Sequence, residues 1–160
     1  MNLEKVFNIQ ELLDEKFAEN ISPDEQNLEI KRIIALLVEI GEFANEVQAF
    51  KYWKVNKNLD RVKILEEFAD GIHFLSSMSY KKNVDFEISP ITLSTDFTIQ
   101  LSHVYMEASK LFNNLTKEQL KYVYELYLGL GVTAGISEQE ILDSFYRKNE
   151  INFQRAKNKY

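Results

Sequence analysis

The sequence LLVEIGEFANE at residues 36–46 places acidic side chains at regular intervals in an otherwise apolar segment. Glu39, Glu42 and Glu46 are spaced i, i+3 and i+7, so on an α-helix they share one face and lie within about 60° of one another. Most of the remaining positions of the segment are apolar. A helix that is apolar nearly all round is expected to be buried between other helices.

Residues 65–74, with the sequence LEEFADGIHF, repeat this arrangement. Glu67 and Asp70 are spaced i, i+3, and His73 follows one turn later. Carboxylates buried together are destabilising or stay protonated unless a cation neutralises them. Because oxygen ligands suit Mg²⁺ and Mn²⁺, two such pairs on consecutive helices predict a divalent metal site, with two solvated acidic faces as the alternative. The absence of a Glu-x-x-His pair argues against a di-iron bundle.

Capping signals define the helices around these segments. Ser22-Pro23-Asp24-Glu25 combines an N-cap serine, a proline at the first helical position and a glutamate that completes a capping box, and it predicts a helix from Pro23 to about Phe50. The next helix should begin near Asp60. The other predicted helices span residues 3–19, 97–112 (with a short strand at 97–101 as the alternative), 117–134 and 138–157, the last two opened by capping boxes at Thr116–Gln119 and Ser137–Glu140. These patterns predict a single all-α domain, residues 1–160, that forms a bundle of about six helices.

Composition limits the classes of function. The 160 residues include no cysteine, which excludes disulfides and thiolate chemistry, and 45% of them are apolar. The N-terminus lacks the apolar core of a signal peptide, and the longest fully apolar run, residues 33–38, is too short to span a membrane, so a cytoplasmic protein without a membrane partner is expected. The formal net charge of −6 disfavours nucleic-acid binding. An anionic substrate would therefore need a cation to mediate its binding.

The two acidic segments, read together with their neighbours, resemble the dimeric dUTPases. E-x-x-E on one helix and E-x-x-D on the next are the core of the all-α NTP pyrophosphatases, which include the MazG-type enzymes. The dimeric dUTPases add further motifs, and the resemblance covers most of the chain apart from about residues 84–135. The matching motifs are Asn45-Glu46, Phe50-Lys51-Tyr52-Trp53, Asp70-Gly71-Ile72-His73-Phe74, the C-terminal helix at residues 146–155 and the N-terminal segment 9–14.

The resemblance implies a catalytic metal site and its ligands. Two or more Mg²⁺ ions would be bound, with Mn²⁺ able to substitute, and Glu46 would support the ligands or bind a further ion. Glu39 would accept the proton of the attacking water. The implied catalytic residues, which are also the implied metal ligands, are Glu39, Glu42, Glu67 and Asp70.

The resemblance also implies a substrate site. Lys148, Asn152 and Arg155 are similar to the phosphate-binding triplet of the family, and their spacing places them within about 60° on one helical face. Without substrate phosphates, the positive charge of this face is expected to have little to hold it except the acidic metal site nearby. The alternative is an ordinary basic C-terminal turn that the helix dipole favours. The implied uracil-pocket residues are Gln10, Asp14, Trp53, His73 and Asn149.

Two positions depart from the family pattern. Asp14 stands where some relatives have asparagine, and Lys159 stands where the family often has a glycine that ends the last helix. The final residues are therefore expected to be ordered differently from those of relatives.

The expected reaction is hydrolysis of dUTP to dUMP and pyrophosphate by attack at the α-phosphorus, with dUTP or dUDP as ligand. The alternatives are the same chemistry on another nucleotide, such as dCTP or a modified nucleotide, and a non-catalytic helical interaction protein. The intact acidic residues argue against the last of these. A homodimer is also expected, because the family is dimeric and 11 Phe with 8 Tyr are more aromatic surface than one small bundle easily buries.

Overall fold

The computed structural model describes residues 1–158, and within that range the chain forms six α-helices and no strand. A single 3₁₀ turn, Lys110–Phe112, follows the fourth helix. Residues 82–96 form a loop around Pro90, and the segment from residue 97 is a helix, as expected, rather than the alternative strand. The helices are α1 (Glu4–Ala18), α2 (Leu28–Val47), α3 (Arg61–Lys81), α4 (Phe97–Ser109), α5 (Lys117–Thr133) and α6 (Glu138–Lys157).

Helix α3 lies at the centre of the bundle, where it packs against α1, α2, α5 and α6. Leu36, Ile40 and Phe43 of α2 and Phe68 of α3 are fully buried in a shared apolar core. Each such side chain contributes roughly 1.5–3 kcal/mol on burial. This packing holds the acidic faces of α2 and α3 next to each other at the edge of the core.

Side-chain caps begin three of the helices as predicted. The Asp60 carboxylate accepts hydrogen bonds from the backbone N–H groups of Val62 and Lys63, and Ser137 with Glu140 forms a complete capping box. The Thr116 hydroxyl accepts from the backbone N–H of residue 119. The side-chain amide of residue 119 bonds instead to Glu107, so only half of that predicted capping box forms.

The predicted start of the second helix at Pro23 is wrong. Residues 22–25 form a turn, and α2 begins at Leu28 after Asn27, which has a left-handed backbone with φ of 59°. The Glu25 carboxylate pairs with Lys31 instead of returning to the backbone of Ser22, so the expected capping box does not form. The helix ends at Val47 rather than near residue 50, because Gln48 is also left-handed, with φ of 60°.

One face of α2 is exposed, which differs from the expected burial all round. Ile30, Ile34 and Val38 are spaced i, i+4, i+8 and are 48%, 49% and 51% exposed. We call this row the α2 stripe. The other helices of the chain cover the opposite face of α2, the side that carries Leu36, Ile40 and Phe43.

The described helices are all too short or too polar to cross a membrane. Lys159 and Tyr160, on which the expectation of a differently ordered chain end depends, lie outside the described residues.

Candidate functional site

Three of the predicted metal ligands come together where α2 faces α3. One carboxylate oxygen from each of Glu39, Glu67 and Asp70 lies within 4.8 Å of the others, and all three side chains are half-buried. The i, i+3 spacing on α3 turns Glu67 and Asp70 to the same side, and the packing of α2 brings Glu39 to meet them. The cluster therefore offers three oxygen ligands at a single point.

The electrostatics of this cluster favour a cation. Burial, together with the charges of Asp70 and Glu42, raises the pKa of Glu39 to about 7. Burial and the same two charges raise the pKa of Glu67 to about 7. One oxygen of Glu39 is buried and has no hydrogen-bond partner within residues 1–158, although buried polar atoms are normally paired. A divalent ion fits these carboxylates because it would neutralise their charges and pair this oxygen.

Glu42 and Glu46 lie outside the compact cluster. Glu42 is exposed, yet its charge raises the pKa of both Glu39 and Glu67, so it lies at the edge of the same site. Glu46 lies one turn further along α2 and is half-buried. The compact cluster thus contains three of the four predicted ligands.

Lys148 has carboxylate partners without any phosphate, one of them in the acidic metal site and one, Glu66, that was not expected. Its ammonium nitrogen lies 2.7 Å from Asp70 Oδ2 and 2.8 Å from Glu66 Oε1, and the residue is only 6% exposed. Burial alone would lower the pKa of Lys148, but these two carboxylates outweigh it and raise the pKa. The lysine therefore supplies positive charge at the edge of the cluster. Glu66 was not predicted as a site residue, because the contact depends on the packing of α6 on α3.

A cavity of about 550 Å³ opens beside the carboxylates, between α1, α3 and α6. It extends along α3 from Asp70 through His73 to Lys81. Its walls combine apolar side chains from α1, such as Leu13 and Phe17, with polar ones. A site of this size and mixed lining suits a small-molecule ligand. The predicted site residues that line it are Gln10, Asp14, Glu39, Asp70, His73, Asn152 and Arg155.

The residues predicted to bind the base divide into two groups. Gln10, Asp14 and His73 are linked by hydrogen bonds on the cavity wall, and Asn149 is buried one turn after Phe145, whose ring stacks on His73. Trp53 is instead 62% exposed and lies outside this cavity. It belongs to the loop between α2 and α3, where it packs against Phe50 and Tyr52.

Ser77, Tyr80 and Lys81 are cavity residues that the sequence patterns did not identify. All three hydrogen-bond to Asp14. They follow Asp70 and His73 along one face of α3 at intervals of three and four residues, the spacing of helical neighbours. Extending the acidic face of α3 by two turns would have found them.

Comparison with known proteins agrees with the predicted family. A model of the family described as dUTPase matches residues 2–160, including the segment that the sequence motifs did not cover. No curated protein matches the chain significantly. The match supports hydrolysis of dUTP as the activity, and it is consistent with a place among the MazG-like all-α NTP pyrophosphatases. The helices of residues 1–158 and their half-buried carboxylates fit this assignment. The chain belongs to the dimeric, all-α dUTPase family.

Proposed function

We propose that this dUTPase hydrolyses dUTP to dUMP and pyrophosphate with Mg²⁺ bound by Glu39, Glu67 and Asp70. The observation that carries the proposal is the convergence of these three carboxylates within 4.8 Å, with Glu39 and Asp70 also lining the cavity. A bound divalent ion would grip the triphosphate and lower the pKa of a water molecule. Glu42 and Glu46 are the candidates for ligands of a further ion, and Mn²⁺ is expected to substitute for Mg²⁺.

Glu39 is the proposed general base. In the metal-free chain its pKa is raised to about 7, so the surroundings of this carboxylate favour a proton there, as a general base requires. It would take the proton of the water that attacks the α-phosphorus.

Lys148, Asn152 and Arg155 are proposed to bind the phosphates. Asn152 and Arg155 line the same cavity as Glu39, and Lys148 lies against Asp70. Positive charge at this wall would offset the charge that develops on the leaving pyrophosphate. Lys148 would then exchange at least one of its carboxylate partners for a phosphate oxygen.

The alternative substrate is another nucleotide, such as dCTP or a modified nucleotide, because the carboxylates and the basic residues are indifferent to the base. A pyrophosphate-release assay over all deoxy- and ribonucleoside triphosphates tests the proposal. We expect turnover of dUTP well above that of the others, with Mg²⁺ present and not with a chelator. If another nucleotide is hydrolysed faster, that nucleotide replaces dUTP as the proposed substrate. If no nucleotide is hydrolysed, the result contradicts the enzymatic function.

Metal binding should depend on pH in a defined direction. The pKa of both Glu39 and Glu67 rises from the ordinary value of 4.5 to about 7 in the folded chain. Without metal, the folded state therefore binds more protons than the unfolded state, and the free energy of unfolding falls as pH rises through this window. Because protons compete with a cation for these oxygens, we expect Mg²⁺ to raise the Tm more at about pH 8 than at about pH 5. Equal shifts at both pH values would contradict this site.

We also propose that the chain forms a homodimer through the α2 stripe. The stripe is an apolar row about two turns long on a face that the chain itself leaves exposed. The interfaces of obligate dimers are typically large and apolar, and the stripe is proposed to lie within such an interface. We expect light scattering at micromolar concentration to give twice the chain mass of 18.8 kDa, and Ile34→Glu to give the monomer mass.

Leu12→Glu is the matched control for the dimer, because Leu12 is similarly exposed on α1 and is expected to keep the dimer mass. A monomer mass for the wild-type protein would contradict the proposal.

A further inference from the structure

Asp14 has an unusually complete set of hydrogen-bond donors. One carboxylate oxygen accepts from Lys81 Nζ at 2.6 Å, from Tyr80 Oη at 2.9 Å and from the Ser77 hydroxyl. The other oxygen accepts from Gln10 Nε2 at 2.8 Å. Burial alone would raise the pKa of Asp14, but the hydrogen bonds from Lys81, Ser77 and Gln10 outweigh it and hold the pKa below its usual value. Asp14 is therefore ionised near neutral pH and can only accept hydrogen bonds.

An ionised Asp14 fixes which way the Gln10 amide faces. Only the NH₂ group of the amide can donate to a carboxylate, so the carbonyl oxygen of Gln10 must face the opposite way. That oxygen lies 2.7 Å from Nδ1 of His73. Because the carbonyl oxygen can only accept, Nδ1 must carry a proton. A flipped Gln10 would place its oxygen against the negative charge of Asp14.

His73 is neutral, so protonation of Nδ1 leaves Nε2 as an acceptor. Burial, with the charge of Lys148, lowers the pKa of His73 to about 3 against the opposing effects of the Asp14 charge and the Phe145 backbone. Within residues 1–158, Nε2 is buried and has no hydrogen-bond partner. A buried acceptor without a partner is costly, and His73 lines the cavity. The missing partner is therefore expected to come from the ligand.

We propose that Asp14 is a positioning residue that, through Gln10, fixes the proton of His73 on Nδ1 so that Nε2 accepts a hydrogen bond from the N3–H group of uracil. This inference rests on the proposed function. In cytosine, N3 is unprotonated and is a hydrogen-bond acceptor. It would face Nε2, which is also an acceptor, and no hydrogen bond could form between them. The opposite tautomer of His73 would favour cytosine instead. Thymine has the same N3–H group as uracil, so the hydrogen bond to His73 Nε2 distinguishes uracil from cytosine but not from thymine.

The tautomer can be measured directly in the protein without ligand. Imidazole ¹⁵N chemical shifts distinguish a protonated ring nitrogen from an unprotonated one, and His103 is the only other histidine. We expect His73 to have a protonated Nδ1 and a bare Nε2 near neutral pH. In Asp14→Asn the amide oxygen stays with Lys81, which can only donate, so the NH₂ group faces Gln10 and turns its amide round; we expect the proton of His73 to move from Nδ1 to Nε2. Gln10→Met removes the link and leaves Asp14 with its α3 donors, so it should leave the tautomer unfixed and give a mixture, which tests the linkage if Asp14→Asn does not fold.

Asp85→Asn is the matched control. Asp85 is likewise a carboxylate that accepts a hydrogen bond from a lysine, Lys117 at 2.9 Å, but it lies outside the cavity between α1, α3 and α6. We expect it to leave the His73 shifts and the turnover of dUTP unchanged. If Asp85→Asn changes the His73 shifts as much as Asp14→Asn does, the Asp14–Gln10–His73 linkage is overturned, because the loss of any ion pair would then have the same effect.

Steady-state kinetics test the recognition of the base. In Asp14→Asn we expect the ratio of kcat/KM for dUTP to that for dCTP to fall about tenfold, the scale of one buried hydrogen bond. The wild-type protein could prefer dUTP while the His73 shifts stay the same in both Asp14→Asn and Gln10→Met. That result would overturn the Asp14–Gln10–His73 linkage. A wild type that does not hydrolyse dUTP, but has the expected tautomer, would overturn the proposed function and the base recognition while supporting the Asp14–Gln10–His73 linkage.

Discussion

Replacing Glu39 by glutamine is expected to lower kcat for dUTP by about 10² to 10⁴-fold, the usual contribution of a general base. The substitution keeps the size of the side chain but removes the proton acceptor and one charge of the cluster. Glu29→Gln is the matched control, since Glu29 lies exposed at the start of α2 and pairs with Lys82. A Glu39→Gln protein with turnover within about twofold of the wild type would contradict the assigned role.

The same variant separates loss of function from loss of folding. The raised pKa of Glu39 means that its ionised form destabilises the metal-free protein at pH values above about 7. Glutamine removes that repulsion, so in the presence of a chelator the Tm of Glu39→Gln at about pH 8 should equal or exceed that of the wild type. A Tm of Glu39→Gln below that of the wild type would indicate that the activity is lost through misfolding.

Gly71→Ala is expected to destabilise the protein by about 3 kcal/mol, near the upper end of the usual effect of overpacking a core. A Cβ at Gly71 would lie 2.2 Å from the hydroxyl oxygen of Tyr127. Tyr127 is fully buried, donates a 3.1 Å hydrogen bond to the Phe68 carbonyl and stacks on the Phe68 ring at 4.7 Å, so it has little room to move. Because Gly71 follows Asp70, any shift of α3 would also disturb the carboxylate cluster. Denaturant unfolding measures the change.

Gly41→Ala provides the control for this effect. Gly41 lies in the middle of α2, and its added Cβ would meet the hydroxyl oxygen of Tyr105 at 3.0 Å. Tyr105 is half-buried, so the end of its side chain can yield. The higher helix propensity of alanine, about 1 kcal/mol, should offset the contact and leave the stability close to that of the wild type. Equal stability of Gly71→Ala and Gly41→Ala would contradict the packing argument.

The helices could be predicted where their signals are local. Helix α3 begins after Asp60 and Ser137 caps α6 as expected, because the start of a helix depends only on its own first turn. The turn at residues 22–25 has the same kind of signal. There, however, the Glu25 carboxylate pairs with Lys31, and the capping box does not form. The exposure of the α2 stripe depends on which other helices cover α2, and no local pattern contains that information.

The site residues could likewise be predicted where local helical geometry fixes their position. Glu67 and Asp70 share a face because helical geometry fixes the direction of residues three apart, and Glu39 meets them because the next apolar helix packs alongside. The ion pair of Lys148 with Glu66 and the exposed position of Trp53 depend on the docking of α6 and the path of a loop. Contacts of that kind come from tertiary packing alone.

Hydrolysis of dUTP in ¹⁸O-labelled water tests the central claim most directly. With purified wild-type protein and Mg²⁺, the proposed attack of water on the α-phosphorus predicts that mass spectrometry will find dUMP and pyrophosphate in equal amounts, with the label in dUMP. Release of inorganic phosphate with dUDP, or label in the pyrophosphate, would contradict the account.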